Sequence, residues 1–264
     1  MSAVVSPIRR LLRLTWRYAA VVLSIFGCLL AYLFNVLTGR TSPEQRAQAL
    51  HRSSVRLLRW LGVSYSSQGT APASGLIVSN HLSYLDILLF SAVARCVFVS
   101  KREVKFWPGI GWIATLAGCI YIDRARHHGT HDVQPQMAAT LTAGVPVVLF
   151  AEGTSTDGRQ VLPFRSSLFQ PAVASRVPIS AACLSYDIED GDPAIDVCYY
   201  GDHVLGPHSL NLFGKGNVTA SVRFADCAKI YTNRKDAARQ LHEQVCALKA
   251  QSAAEVSRVA TAVV

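Results

Sequence analysis

The apolar positions of this chain fall into two patterns: one long uncharged run near the N-terminus, and a later series of short runs between polar segments. The long run, Tyr18 to Leu37, covers about 20 residues, the length that a helix needs to cross a hydrocarbon core. A second helix is predicted from Ser42 to Leu61, because Ser42 suits the N-cap, Pro43 the first position and Gln45 the third. Its leucines and arginines occupy different faces, which is typical of a basic amphipathic helix at a membrane interface.

The short apolar runs predict strands, and stretches suited to helices fall between several of them. The predicted strands are 76–78, 96–100, 119–123, 146–151, 179–186, 195–200 and 218–224, and the predicted helices are 85–94, 132–143 and 235–250. This alternation favours an α/β fold with a mixed, largely parallel central sheet flanked by helices, preceded by an N-terminal membrane-docking helix pair. We therefore predict a helix pair over 1–65 and an α/β domain over 66–264. The polar residues 66–74 are predicted to be a linker or loop.

The charge balance favours an anionic partner. The chain has 26 Lys and Arg against 17 Asp and Glu, a formal net charge of +9, which suits nucleic acid, an acidic membrane surface, or a phosphorylated or coenzyme-A-type ligand. Nucleic-acid binding would explain the charge but not the apolar run, so we predict no nucleic-acid partner. The seven cysteines are scattered without a Cys-x-x-Cys pair, which indicates neither a zinc site nor a disulfide framework and favours a reducing compartment. We predict no metal and no cofactor.

The apolar run has two competing interpretations. A secretory signal peptide usually has a shorter apolar region, of about 7–15 residues, and a small-residue cleavage site. The segment Asn35–Gly39 lacks such a site, so a retained membrane anchor is favoured. Arginines flank the run on both sides, and the positive-inside rule therefore does not orient it. A helix that lies in one leaflet would place both arginine groups at the same anionic surface, and this alternative stays open.

The stretch Asn80-His81-Leu82-Ser83-Tyr84-Leu85-Asp86 carries the candidate chemistry. It follows an apolar run and precedes a predicted helix, which is where an α/β sheet presents reactive side chains. His81 is the candidate general base and Asp86 the group that orients it. The spacing alone is weak evidence, because His127 and Asp132 repeat it within a polar stretch to which we assign no chemistry.

Further motifs follow downstream. An apolar run ends in Glu152-Gly153-Thr154, and the small and polar residues after it can offer backbone N–H groups and hydroxyls to an anion. This loop matches neither a P-loop nor a Gly-x-Ser-x-Gly elbow. The other motifs are Lys101–Gly111, Tyr121–Arg124, Leu162–Arg165 and Val177–Ile179.

Taken in order, these motifs resemble the glycerolipid (lysophospholipid) acyltransferase family, whose type members are the 1-acyl-sn-glycerol-3-phosphate O-acyltransferases. The family pattern Asn-His-x-Ser-x-x-Asp falls at Asn80–Asp86, and a Lys/Glu/Pro/Gly block ending near an arginine falls at Lys101–Arg124. Glu-Gly-Thr falls at 152–154 and the apolar-Pro-apolar strand at Val177–Ile179. Four motifs in this order are far more specific than any one of them.

The resemblance implies a transferase that moves a fatty acyl chain from acyl-CoA or acyl carrier protein to the free hydroxyl of a lysolipid in phospholipid biosynthesis. His81 would take the hydroxyl proton during attack on the thioester, and Asp86 would hold the ring and stabilise the imidazolium. Backbone N–H groups near Gly153 are candidates for stabilising the oxyanion. The predicted acceptor-binding residues are Ser83, Lys101, Arg124, Glu152, Gly153, Thr154 and Arg165, of which the basic ones would neutralise a phosphate.

One position departs from the family pattern. The commonest form of the third motif is Glu-Gly-Thr-Arg-Ser, whose arginine is thought to meet phosphate, whereas Ser155 stands at that place here. Arg159 or Arg165 could compensate, which keeps 1-acyl-sn-glycerol-3-phosphate as the first predicted acceptor and phosphatidic acid as the product. The loop also resembles branches that act on other lysolipids, including bacterial lyso-ornithine lipid acyltransferases. Lyso-ornithine lipid is therefore the alternative acceptor.

Two other function classes fit less well. A non-catalytic, basic membrane lipid-binding protein would not need the His81–Asp86 pair, and a lipid hydrolase would need a serine nucleophile in an elbow context, which we do not find. Because a lysolipid lies in the membrane and the acyl donor arrives from the cytosol, we expect the protein at the inner or cell membrane, with its catalytic domain on the cytoplasmic face.

Overall fold

The computed structural model describes residues 7–107, 110–122 and 133–262 and has an α/β architecture. Two long helices come first, α1 (Pro7–Leu37) and α2 (Pro43–Trp60). The strands are β1 (Val63–Gln68), β2 (Leu76–Ser79), β3 (Val97–Lys101), β4 (Ile120–Ile122), β5 (Val147–Phe150), β6 (Ile179–Ile188) and β7 (Val218–Phe224). The other helices are α3 (Leu85–Val93), α4 (Ile110–Leu116), α5 (Val133–Thr142), α6 (Gln170–Ala174), α7 (Pro193–Asp196), α8 (Leu205–Gly214) and α9 (Arg234–Ala262). Two 3₁₀ turns lie at Arg102–Phe106 and Ser166–Phe169.

The seven described strands form one sheet in the order β1-β7-β6-β2-β5-β3-β4. Every neighbouring pair is parallel except β6 and β7. β1 and β7 therefore run opposite to the other five strands, which confirms the prediction of a mixed, largely parallel sheet. β2 lies between β6 and β5, and the carboxyl ends of these central strands meet at one edge of the sheet.

The prediction of a loop over 66–74 is wrong for its first residues, which belong to β1. This strand lies at the sheet edge and pairs with β7 alone. Only Val63 is buried in it, and most of the other side chains are exposed, so the sequence there lacks the apolar pattern of an inner strand. β1 also crosses the predicted domain boundary between 65 and 66.

The predicted strand at 195–200 is wrong as well. Asp192 instead caps α7 by accepting a hydrogen bond from the Ala194 N–H at 2.9 Å, and Pro193 takes the first helical position. The buried residues Val197 and Cys198 then lead to Tyr199, whose N–H donates to the Leu82 carbonyl at 2.7 Å. The apolar run thus reflects burial beneath the Asn80–Asp86 turn, and a short apolar run does not distinguish that burial from a strand. Helices α4, α6 and α8 are further elements that the sequence pattern did not predict.

The sheet carries an apolar core on each face. One core includes Val78 and lies under α5, α6 and α9, whereas the other includes Ile77 and lies under α2, α3 and α8. Ile77 and Val78 are successive residues of β2, both completely buried, and they point to opposite faces as the two-residue period of a strand requires. The central strands are therefore covered on both sides, as in most parallel sheets.

Helix α1 packs on the α/β domain near both of its ends. Its first half contacts α8, and its second half lies beside α4, with Cys28 and Tyr32 facing Ile113 and Leu116 across a small cavity. Among the described residues, α1 is the one helix whose length and apolar composition would allow it to cross a membrane. Its apolar face points away from the domain, since only 6% of its most apolar 18-residue segment is buried.

Arg17 anchors this helix to the domain. Its buried guanidinium donates to the carbonyl oxygens of Phe213 at 3.1 Å, Lys215 at 2.9 Å and Gly216 at 3.1 Å. These carbonyls lie at the C-terminal end of α8, where unpaired carbonyl groups and the helix dipole favour a cation. One of the four arginines that precede the apolar run therefore binds the protein itself and not a membrane surface.

Candidate active site

The turn between β2 and α3 leaves the centre of the sheet at its carboxyl edge. Asn80 is the first residue after β2, and its side chain fixes the turn against β6. The Asn80 Nδ2 group donates to the Leu184 carbonyl at 3.1 Å, and its Oδ1 atom accepts from the Leu184 N–H at 2.8 Å. The side chain thus continues the pairing of β2 with β6 after the backbone has turned away, which explains why an amide side chain suits this position.

His81 and Asp86 are in direct contact. The His81 Nδ1 atom lies 2.7 Å from Asp86 Oδ2, and the His81 side chain is 25% exposed while that of Asp86 is fully buried. An ionised carboxylate only accepts hydrogen bonds, so Nδ1 carries the proton and Nε2 keeps its lone pair. No hydrogen bond from the described part of the chain reaches Nε2. This nitrogen is therefore available to accept a proton from a bound hydroxyl.

The buried Asp86 carboxylate has four hydrogen-bond donors. Oδ2 accepts from the N–H groups of Leu82 at 2.7 Å and Ser83 at 3.1 Å as well as from His81, and Oδ1 accepts from the Tyr186 hydroxyl at 2.7 Å. Asp86 also lies in the first turn of α3, where the helix dipole favours negative charge. A buried carboxylate needs such compensation to stay ionised.

Tyr186 is a site residue that the sequence analysis missed. Ala182 of β6 pairs with Ser79 at the end of β2, and β6 continues for six residues beyond this pairing. The extension carries Tyr186 to the level of the turn. Burial raises the pKa of the Tyr186 phenol well above its ordinary value, and the Asp86 charge raises this pKa further. The hydroxyl therefore remains a donor to Asp86.

Phe150 fixes the plane of the His81 ring. The two rings are stacked, with centroids 4.2 Å apart and an interplanar angle of 12°. Phe150 is the last residue of β5, the strand next to β2. Rotation of the imidazole about its side-chain bond would break both this stacking and the bond to Asp86.

Glu152 holds the turn and the following loop together. Its Oε1 atom accepts from the His81 N–H and its Oε2 atom from the Leu162 N–H, both at 2.8 Å. The side chain is buried, and this burial raises the pKa of Glu152 although the two hydrogen bonds oppose the shift. The Thr156 N–H also donates to the His81 carbonyl at 2.9 Å. Both backbone groups of His81 are thus bonded to residues 152–156, and the carboxylate of Glu152 faces the backbone on both sides.

Gly153, near which backbone N–H groups are expected to stabilise the oxyanion, lies in the turn that follows β5. Its N–H donates to the Phe150 carbonyl at 3.2 Å and closes the turn that ends β5. The backbone of Gly153 has φ 78°, in the left-handed region that favours glycine. This glycine therefore has a conformational reason to stand between Glu152 and Thr154.

Ser155, at the position of the family arginine, makes an internal contact. Its hydroxyl donates to the Tyr199 carbonyl, the residue whose N–H is bonded to Leu82. Farther along the loop, the Lys249 ammonium group of α9 donates to the Gly158 carbonyl. The loop is thus attached at two points to segments that are distant in sequence.

The remaining predicted site residues differ in their placement. Ser83 is completely buried and its hydroxyl has no partner within the described ranges, so it does not present its side chain to an acceptor. Thr154 and Arg165 are exposed, and the Arg165 N–H donates to the Ala151 carbonyl at 3.0 Å. Lys101 is exposed at the carboxyl end of β3, which only β5 separates from β2. Arg124 lies outside the described residues, as do His127 and Asp132.

Comparison with known proteins agrees with this geometry. Residues 63–185 match the model of a family described as Acyltransferase, and this range contains the whole set from Asn80 to Glu152. A lyso-ornithine lipid O-acyltransferase from Brucella abortus (strain 2308) is 35% identical over 66% of this chain and 70% of its own length. The chain belongs to the glycerolipid acyltransferase family. It is therefore an acyltransferase, as the motifs indicated.

Further relatives of this acyltransferase carry two names. A lyso-ornithine lipid O-acyltransferase from Rhizobium meliloti (strain 1021) is 32% identical over 64% of this chain and 63% of its own length. A 1-acyl-sn-glycerol-3-phosphate acyltransferase from Neisseria meningitidis serogroup B is 32% identical over 56% of this chain and 60% of its own. The crystal structure of the 1-acyl-sn-glycerophosphate acyltransferase PlsC from Thermotoga maritima shares the fold, with a TM-score of 0.70 over 94% of this chain and 97% of that one at 19% identity.

Proposed function

We propose that this acyltransferase moves a fatty acyl chain from acyl-CoA or acyl carrier protein to a lysolipid hydroxyl, with His81 as the general base. The observation that carries the proposal is the His81–Asp86 contact, which leaves Nε2 unbonded by described residues on a side chain that is 25% exposed. A hydroxyl is a weak nucleophile at neutral pH and needs a base within hydrogen-bond reach. Cofactor and metal chemistry have no part in the proposed steps.

The proposed reaction proceeds through a tetrahedral intermediate. Nε2 takes the acceptor's hydroxyl proton while the oxygen attacks the thioester carbonyl carbon, and the carbonyl electron pair moves to its oxygen. Collapse of this oxyanion breaks the carbon–sulfur bond, and the imidazolium returns the proton to the departing thiolate. Asp86 stabilises the imidazolium between these steps. The products are an ester and a free thiol, with no acyl-enzyme.

We propose lyso-ornithine lipid as the acceptor. Relatives from Brucella abortus and Rhizobium meliloti carry that name, and Ser155 gives its hydroxyl to Tyr199 at the position where the commonest phosphatidate-forming sequence has an arginine. An amino-acid headgroup does not need a bidentate arginine, whereas a phosphate is bound well by one. Lysophosphatidate is the second candidate, because the Neisseria meningitidis relative carries that name and Arg165 is exposed beside the loop.

The proposed membrane attachment uses α1 in the plane of one leaflet. α8 lies beside its first half and α4 beside its second. If α1 crossed the bilayer, these parts of the domain would be drawn into hydrocarbon, where unpaired polar groups are costly. A helix lying in the interface would instead bury its exposed apolar face in lipid and keep the domain in water. We place the domain on the cytoplasmic face, where the acyl donors are.

The test supplies purified full-length protein with vesicles that contain either lyso-ornithine lipid or lysophosphatidate, and with acyl-CoA or acyl carrier protein. Released thiol is measured and the lipid product identified by mass spectrometry. We expect product from lyso-ornithine lipid, and a loss of at least about 100-fold in His81→Ala, because general base catalysis contributes about 10²–10⁴-fold. His51→Ala, which removes a histidine from α2, is the matched control and should stay active.

Two results would contradict separate parts of the proposal. Near-normal turnover by His81→Ala would exclude His81 as the base, whatever the acceptor. Acylation of lysophosphatidate alone would exclude lyso-ornithine lipid and would remove the argument from Ser155, while leaving the base assignment intact.

A further inference from the structure

Three large aromatic side chains close to α4 are exposed to solvent. Phe106 is 72% exposed, Trp107 41% and Trp112 59%, and we refer to these three residues as the aromatic patch. Leaving a large apolar side chain in water is unfavourable, and contiguous exposed apolar groups usually mark an interaction site. Tryptophan is enriched at membrane–water interfaces, because its ring is apolar while its indole N–H is polar.

The aromatic patch includes a residue of α4, the helix that packs beside α1. Trp112 belongs to α4, which packs on α1 through Ile113 and Leu116. The outward side chains of α1 that are more than half exposed include Leu23, Phe26, Leu30, Leu33 and Phe34. Because α4 lies beside the second half of α1, Trp112 stands on an element next to this apolar surface.

The surroundings of the aromatic patch are basic. Lys101, Arg102 and Lys105 are exposed next to Phe106, and Glu103 is the one acidic residue between 101 and 107. The Lys105 ammonium group lies 6.0 Å from the centre of the Tyr121 ring. An anionic membrane surface attracts each basic residue that lies near it. A combination of exposed tryptophan and net positive charge is the chemistry of an anionic lipid interface.

The segment that carries the patch begins at the sheet edge on which the site lies. Lys101 ends β3 at the same sheet edge as His81, and only β5 intervenes between β3 and β2. Neighbouring strands are about 4.8 Å apart, which places the end of β3 about 10 Å sideways from that of β2. A surface that held the aromatic patch in a membrane would therefore hold His81 close to the headgroups.

We infer that the aromatic patch is a second membrane-contact element, which inserts into the headgroup region of an anionic phospholipid surface beside α1 and brings the mouth of the active site to the acceptor lipid. The role in bringing the site to the acceptor lipid rests on the proposed function. Contact between the patch and the membrane is tested without any reaction. A docking protein such as an acidic acyl carrier protein is the alternative occupant. An acidic protein would need only the lysines and arginines. The exposed aromatic rings in addition to them favour lipid.

The test uses the tryptophans as reporters in the full-length chain. Trp16→Phe/Trp60→Phe leaves Trp107 and Trp112 as the only tryptophans. With vesicles containing phosphatidylglycerol we expect a blue-shifted emission, quenching by lipids brominated high on the acyl chain, and protection from acrylamide. The matched control variant replaces all four tryptophans by Phe and introduces Ile230→Trp. Ile230 is 53% exposed, and its neighbour Tyr231 belongs to the core under α9, on the face of the sheet opposite to α2, α3 and α8. We expect this control variant to stay open to acrylamide.

A kinetic measurement complements the fluorescence. Trp107→Ala/Trp112→Ala should acylate a short-chain, water-soluble lysolipid at the wild-type rate but lose about tenfold with a vesicle-embedded lysolipid. Absence of bromolipid quenching in vesicle-bound protein would overturn the inference, as would a spectral change that requires acyl carrier protein and not lipid. Failure of the wild type to acylate any lysolipid would overturn the proposed function and leave the quenching result to stand.

Discussion

Tyr186 offers a sharp test of how the dyad is supported. The substitution Tyr186→Phe removes one hydroxyl from a partly buried side chain and leaves the ring in place. Asp86 Oδ1 then loses its 2.7 Å donor, while Oδ2 keeps His81, Leu82 and Ser83. The perturbation therefore acts on the far oxygen of the carboxylate and leaves the contact between the two dyad residues formed.

The magnitude follows from the charge and the burial of this bond. A hydrogen bond to a charged group contributes about 1.5–3 kcal/mol, and Asp86 is fully buried, so solvent does not replace the lost donor. We expect Tyr186→Phe to lower the free energy of unfolding by about 2 kcal/mol. The same free energy, if it were lost entirely from the transition state, would slow turnover about 30-fold. This loss is smaller than the one expected for His81→Ala.

The split between kcat and KM separates positioning of the dyad from a merely structural role. The Tyr186 hydroxyl donates to Asp86, so its loss should lower kcat of the folded enzyme while KM for the lysolipid stays near the wild-type value. Denaturant unfolding measures the stability, and steady-state turnover at one fixed pH measures the two kinetic constants. Tyr65→Phe is the matched control, because Tyr65 is a half-buried tyrosine of the edge strand β1. Wild-type stability together with a wild-type kcat in Tyr186→Phe would refute this reasoning.

Two further substitutions test the anchor of α1 and the buried acid. Arg17→Met should lower the free energy of unfolding by at least about 2 kcal/mol in a denaturant titration, because three carbonyls at the end of α8 lose a charged donor. Arg17→Lys should recover only part of this stability, since lysine lacks the guanidinium fork. If Arg17→Met were as stable as the exposed control Arg56→Met, the role of Arg17 as an anchor would be contradicted. The raised pKa of Glu152 means that the folded chain binds this proton more readily than the unfolded chain, so wild-type stability relative to Glu152→Gln should fall as pH rises from the ordinary glutamate range through the raised pKa. A relative stability that rises with pH over that window would show that the hydrogen bonds from His81 and Leu162 outweigh burial.

Local sequence predicted the elements whose interactions are local. Ser42 and Gln45 form the capping box at the start of α2, and both partners lie within one helical turn. The dyad is local in the same sense, since His81 and Asp86 are five residues apart on one strand–turn–helix connection. The inner strands were predicted because both of their faces are buried, which leaves an uninterrupted apolar run. The edge strand β1 was not predicted, because the exposure of most of its side chains removes the apolar pattern. The segment 195–200 was wrongly predicted as a strand, because burial beneath the Asn80–Asp86 turn gives it an apolar run.

Residues far apart in sequence support the site, and only the folded chain brings them together. Tyr186 reaches Asp86 across 100 positions, Glu152 reaches His81 across 71, and Arg17 reaches Phe213 across 196. A hydrogen bond between distant segments leaves no period in the sequence, because its geometry depends on how far β6 extends beyond β2 and on where the loops cross. The motifs, taken in order along the sequence, therefore indicate the chemistry of this acyltransferase. The packing of β6 and of the loop after β5 around the turn determines how the dyad is held. The packing of α1 on α8 and α4 determines which face of that helix stays exposed.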